Sequence, residues 1–182
     1  MWCGIPWFSA SSRPTKRTHP TAARDPVGGR LDVEVTYAAR RPWVPHRAQF
    51  ARWAEAALAA AALPRRAGSV ELSVRIVGAA RSRSLNAHYR QKDKSTNVLS
   101  FAGVGLMPNG VNHLGELVIC APVVAREAVS QGKAAAFHWA HMTVHGVLHL
   151  LGFDHERAEE ARKMEAREVQ ILDRLGFSNP YV

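Results

Sequence analysis

Cysteine is almost absent from this chain: its 182 residues hold only Cys3 and Cys120. Two thiols far apart in sequence, with no C-x-x-C spacing, cannot build a zinc ribbon or a disulfide framework. A reducing compartment, the cytoplasm, is the simplest context. Long apolar runs are missing as well. The Ala-rich stretch from Ala56 to Leu63, with Arg52 and Glu55 just upstream, falls well short of the roughly 18 residues of a membrane span, so a soluble protein with no segment in the membrane is expected. Acidic residues are in deficit, 15 Asp plus Glu against 24 Lys plus Arg, and the resulting charge of +9 favours polyanionic partners such as nucleic acid or an acidic membrane surface. Apolar residues are not in deficit. At 47% they match an ordinary globular protein and exclude a disordered or fibrous class, and the length suits one domain.

The segment Met1 to Arg30 mixes Ser, Thr, Pro, Gly and Arg with a single acid, Asp25, and shows neither period 2 nor period 3.6. It reads as an unstructured basic extension without the apolar core of a secretory signal. One domain over residues 31–182 follows. Leu31, Val33, Val35 and Tyr37 alternate with polar residues as in a half-buried strand, and so do Val70, Leu72, Val74 and Ile76 up to Gly78. Between them, Phe50, Trp53, Ala54, Ala57, Leu58 and Ala61 recur at helical spacing until Pro64. A short helix is expected over Ser82 to Tyr89. Two short strands, Asn97 to Phe101 and Glu116 to Cys120, flank a loop containing Gly103, Gly105, Pro108, Asn109 and Gly110. Helices close the chain at Ala121 to Ser130, about Ala134 to Leu151, and Glu156 to Leu175, the last ended by Gly176. The expected fold is α+β: a small mixed sheet of about four strands with helices mainly on one face, and a zinc site at the C-terminal end of a helix.

The segment from His145 to His155, which contains His149, Gly152 and Asp154, carries the strongest chemical signal. Positions four apart on a helix lie on one face about 6 Å of rise apart, so His145 and His149 can aim at one ion. Gly152 can take the left-handed conformation that ends a helix and returns His155 as third ligand. Three protein ligands plus a water describe a catalytic zinc site, one ion per chain. The spacing equals that of the metzincin proteases, where a Glu after the first histidine serves as general base; here that position is Gly146, which removes most support for a peptidase. His138 lies about 10 Å further up the same helix, too far to share the ion, and reads as a groove-wall or solvated residue.

A second feature runs from Leu85 to Phe101. With Arg81 and Arg83 upstream, five residues between Arg81 and Lys94 are Lys or Arg against one acid, Asp93. Guanidinium forks grip phosphate oxygens bidentately and lysines act as point charges, so the run suits an RNA or DNA backbone; on charge alone a solvated turn is the plainer account.

Tyr89 to Phe101, then Gly115-Glu116 to Ile119, then His145 to His155 resemble, in order and spacing, the YbeY family of rRNA maturation endoribonucleases from about Leu31 to the C-terminus. The resemblance implies an α+β fold, a zinc ion, single-strand-specific endoribonuclease activity, and a role in 3′-end maturation of 16S rRNA and ribosome quality control. It implies single-stranded rRNA precursor and the small ribosomal subunit or a ribosomal protein as partners. It puts the metal ligands on His145, His149 and His155 and the functionally important arginine on Arg90. Family members often carry Asp at the position of Glu116 and Pro at that of Ser95.

The expected mechanism makes the ion a Lewis acid toward a phosphodiester oxygen that also lowers the pKa of its bound water. Arg90 neutralises charge growing on the phosphate, Lys92 and Lys94 position the strand, and Asp154 orients a ligand histidine. Two other readings are an assembly factor that binds rRNA or a ribosomal protein with little turnover, and a peptidase using Glu116 as base. The final helix, with Ala161, Met164, Ile171, Leu172 and Leu175 on its buried side, reads as scaffold.

Overall fold

In a computed structural model, which describes residues 30–39, 42–60, 69–154 and 157–182, the two alternating segments become neighbouring parallel strands, β1 Leu31–Tyr37 and β2 Val70–Val77. The expected N-terminal extension, apart from Arg30, lies outside the described residues, and so do residues 61–68 beyond the first helix. The remaining elements are α1 Arg47–Ala60, α2 Ala79–Arg90, β3 Val98–Leu106, β4 Asn112–Cys120, α3 Ala121–Ser130, α4 Ala135–Leu150 and α5 Ala158–Arg174. The sheet order is β1-β2-β4-β3, with β4 parallel to β2 and β3 antiparallel to β4. This is the α+β arrangement expected, a four-stranded mixed sheet with five helices.

Strand alternation divides the helices between two faces. Leu72, Val74, Ile76, Leu117 and Ile119 belong to the main core, where they meet Phe50 and Trp53 of α1, Trp139, Val144 and Leu148 of α4, and Ile171 and Leu172 of α5. Phe50 sits edge-on to both Trp53 and Trp139, at 5.7 and 5.9 Å between ring centroids. Burying each of these large side chains contributes roughly 1.5–3 kcal/mol, which makes α4 the central helix of the domain. The opposite face carries a smaller cluster of Val77, Leu99, Val118 and Cys120, against which Leu85 of α2 packs. α2, with Val123 of α3, therefore covers part of the second face, while α1, α4 and α5 pack on the first.

The region around Gly103 to Gly110 is not simply a loop. β3 continues to Leu106 and β4 begins at Asn112, and Met107 N–H to Val111 O (2.8 Å) closes the hairpin. Composition hid these strands because the glycines serve close packing: a β-carbon on Gly103 would collide with the backbone carbonyl of His113. Glycine in a strand often marks such an approach. No helix among the described residues is long and apolar enough to cross a membrane.

Candidate metal and RNA site

The histidine pair sits in the last turns of α4. That helix ends as Gly152 required: Gly152 adopts φ +86°, its N–H donates to His149 O (3.0 Å), and Phe153 N–H donates to Leu148 O (3.0 Å). This double bond pattern caps the orphan carbonyls and turns the chain away from the helix axis. His155, the third expected ligand, lies outside the described residues.

His145 and His149 point the same nitrogen at each other, Nε2 to Nε2 at 3.2 Å, with ring planes 82° apart. Two nitrogens bound about 2.0–2.1 Å from one tetrahedral zinc stand about 3.3–3.4 Å apart, so the spacing fits two ligands of one ion. The tautomer fits as well. Nδ1 of His145 lies 2.6 Å from Glu168 Oε1, and a carboxylate can only accept, so the proton is on Nδ1 and the Nε2 lone pair faces the site. Among the described residues no group of three His, Cys, Asp or Glu is arranged to hold a metal; the histidine pair and the carboxylate beneath it are what this part of the chain supplies.

Glu168 is the carboxylate beneath His145. It is fully buried, and although burial pushes its pKa upward, hydrogen bonds from His141 and His145 hold it down to about 2. Tyr181 donates its hydroxyl to the other oxygen; burial, then the Glu168 charge, raise the phenol's pKa, so it stays a donor. Sequence reasoning assigned α5 to scaffold and missed this residue. The available signal was a charged residue four positions after Met164 and four before Leu172, inside the apolar stripe, where an unpaired charge is not tolerated.

Gly146 has a packing reason. A β-carbon there would lie 2.8 Å from Leu117 Cδ2 and 3.3 Å from Ser100 Oγ, and Ser100 Oγ donates to the Gly146 carbonyl at 3.1 Å. The position that holds a glutamate in the metzincins is here pressed onto the sheet. Glu116 does not replace it. It alternates with Leu117, which faces α4, and so projects from the other side of the sheet, where it pairs with Arg75 at 2.7 Å. His138 is neither solvated nor on a groove wall: it is 2% exposed and bonded to Glu127 at 2.9 Å.

Arg90 is the last residue of α2, capped by Gln91 in the left-handed conformation at φ 56°. Its side chain is half-buried, burial lowers its pKa, and its Nε has no hydrogen-bond partner among the described residues. Arginine stays charged under such a shift, so this is a desolvated cation available to an anion. The following loop is fastened to α2: Ser82 Oγ donates to Thr96 O (2.8 Å) and Asn86 Nδ2 to Lys94 O (2.7 Å). Asp93 is taken by Arg83 in a bidentate pair of 2.6 and 2.5 Å, and Lys92 and Lys94 make no ion pair among the described residues. The loop leads directly into β3, whose Ser100 touches the histidine helix at Gly146. Arg90 and the histidines come from helices on opposite faces of the sheet, joined through this edge strand.

Residues 38–176 match the family model described as endoribonuclease YbeY. A protein of that name from Stenotrophomonas maltophilia is 53% identical over 163 residues, covering 87% of this chain and 96% of its own length. Its namesake from Alkalilimnicola ehrlichii is 54% identical over 155 residues, 83% of this chain and 91% of that one. The one from Xanthomonas axonopodis pv. citri is 52% identical over 157 residues, 84% and 94% respectively.

Proposed function

Because the chain belongs to the YbeY family of endoribonucleases, we propose that it is a zinc-dependent, single-strand-specific endoribonuclease acting in 3′-end maturation of 16S rRNA and in ribosome quality control, in the cytoplasm. It is a hydrolase of RNA phosphodiester bonds. The observation that supports zinc dependence is the pair of converging Nε2 atoms, with the His145 tautomer held by Glu168.

His145, His149 and His155 would hold the ion, one per chain. When bound, zinc supplies Lewis acidity toward a phosphate oxygen. The protein's own groups do the rest. Glu168 keeps the proton on Nδ1 of His145 and the ring in line. Arg90, desolvated and in no ion pair among the described residues, stabilises charge developing on the phosphate. Lys92 and Lys94, held by the fastened loop, draw the strand along the edge of β3 by charge alone, so their contribution falls as salt rises. The small ribosomal subunit or one of its proteins would deliver the rRNA precursor.

The test is cleavage of a labelled single-stranded RNA by zinc-loaded protein, beside a matched duplex, a chelated sample and Arg90→Ala. Chelator-sensitive cutting of the single strand alone, reduced about 10²–10³-fold in a zinc-retaining Arg90→Ala variant, is the expected result. No cutting by protein that holds one zinc would sink the nuclease reading in favour of an assembly factor that binds rRNA or a ribosomal protein.

A further inference from the structure

Beyond α5 the chain folds back over α4. Gly176, at φ +84°, turns it through the bonds Gly176 N–H to Asp173 O and Phe177 N–H to Leu172 O, both 2.9 Å. Phe177 then stacks on Phe137 at 5.6 Å, Lys133 Nζ donates to Pro180 O at 2.5 Å, and Tyr181 reaches Glu168 with its hydroxyl. The Tyr181 ring stands edge-on to His141, 5.8 Å between centroids. Three groups thus converge on one buried carboxylate: His145 on Oε1 at 2.6 Å, Tyr181 on Oε2, and His141 Nε2, 3.4 Å from that same Oε2.

Building on the zinc reading above, we propose that the C-terminal segment belongs to the metal centre, with Tyr181 and Glu168 as positioning residues for His145. Glu168 lies between two histidines and can serve either. The Tyr181 hydroxyl competes with His141 for Oε2, where the His141 contact is a long 3.4 Å, and leaves Oε1 turned toward His145. Without it the carboxylate rotates toward His141, and His145 loses the acceptor that fixes its tautomer and ring orientation. Carboxylates in this role are worth about 10- to 100-fold in metal affinity. Tyr181 acts one step further away, through a single hydrogen bond worth a few-fold.

The experiment is zinc(II) affinity of the full-length chain by chelator competition, with the melting temperature of the metal-free protein measured alongside. Tyr181→Phe keeps the ring and removes only the hydroxyl. It is expected to weaken zinc about three- to tenfold, and Glu168→Gln about 10- to 100-fold. A hydroxyl with a purely structural role would lower the melting temperature and leave zinc affinity alone. Wild-type zinc affinity in Tyr181→Phe therefore overturns the proposal, whatever Glu168→Gln does. A wild-type chain that takes up no zinc overturns the zinc reading itself and the proposal with it, a result distinct from unaltered affinity in the variant.

Discussion

Two of the histidine–carboxylate pairs of helix α4, at His145 and His138, lie two turns apart and differ in which ring nitrogen the carboxylate takes. Glu168 takes Nδ1 of His145, leaving Nε2 to face His149. Glu127 takes Nε2 of His138, shares itself with Asn97 Nδ2 at 3.1 Å, and leaves His138 Nδ1 buried with no partner among the described residues. The first pair presents a lone pair to a second imidazole at the end of the helix. The second clamps the start of β3 and α3 onto α4 and presents nothing. Histidine plus carboxylate is thus not a functional signature in itself; the nitrogen chosen and what lies beyond the other nitrogen decide the role.

The largest expected effect that tests this contrast is in zinc content. His145→Ala should weaken zinc binding by on the order of a hundredfold or more, with far-UV circular dichroism unchanged, because one of the three proposed ligands is removed outright. His138→Ala should hold zinc as the parent does; equal loss in both variants would erase the distinction. The same His138→Ala variant should instead lose about 2 kcal/mol of stability in denaturant titration, since Glu127, with 29% of its side chain exposed, is left partly buried beside an empty site.

Gly146→Ala should cost about 1 kcal/mol. At an exposed helix position that change gains about as much, but Leu117 is fully buried and cannot swing away from the new methyl. A stabilised Gly146→Ala would show that the helix is not pressed onto the sheet there. The smallest effect is on pH. For Glu127, burial raises the pKa, yet hydrogen bonds from His138 and Asn97 leave it below the ordinary 4.5. A depressed carboxylate contributes stability that is fully present above that value and is lost as pH falls through the folded pKa. The acid limb of the stability profile should therefore be flatter in Glu127→Gln than in the parent; identical limbs would remove Glu127 as a source of acid sensitivity.

Elements whose signal is local were legible from the chain. α3 matches its expected bounds, α4 and β1 fall within a residue of theirs, and Gly152 ends α4 in the left-handed conformation anticipated. The hairpin arm from Ala102 to Leu106 was not legible, because glycines that permit close strand pairing are also the residues of loops. His138 was misplaced because helical angle and rise say where a side chain points, and nothing about the Glu127 that meets it from another helix.

What the sequence by itself determined is the spacing His145, His149, Gly152, since one helix and its cap are fixed by neighbours within a turn or two. The tertiary structure alone decided which carboxylate lies beneath His145. Glu168 is 23 residues away on another helix, and Tyr181 is a further 13 beyond it. Only the crossing of α5 over α4, driven by burial of Met164, Ile171 and Leu172, brings Glu168 to that imidazole and Tyr181 to Glu168.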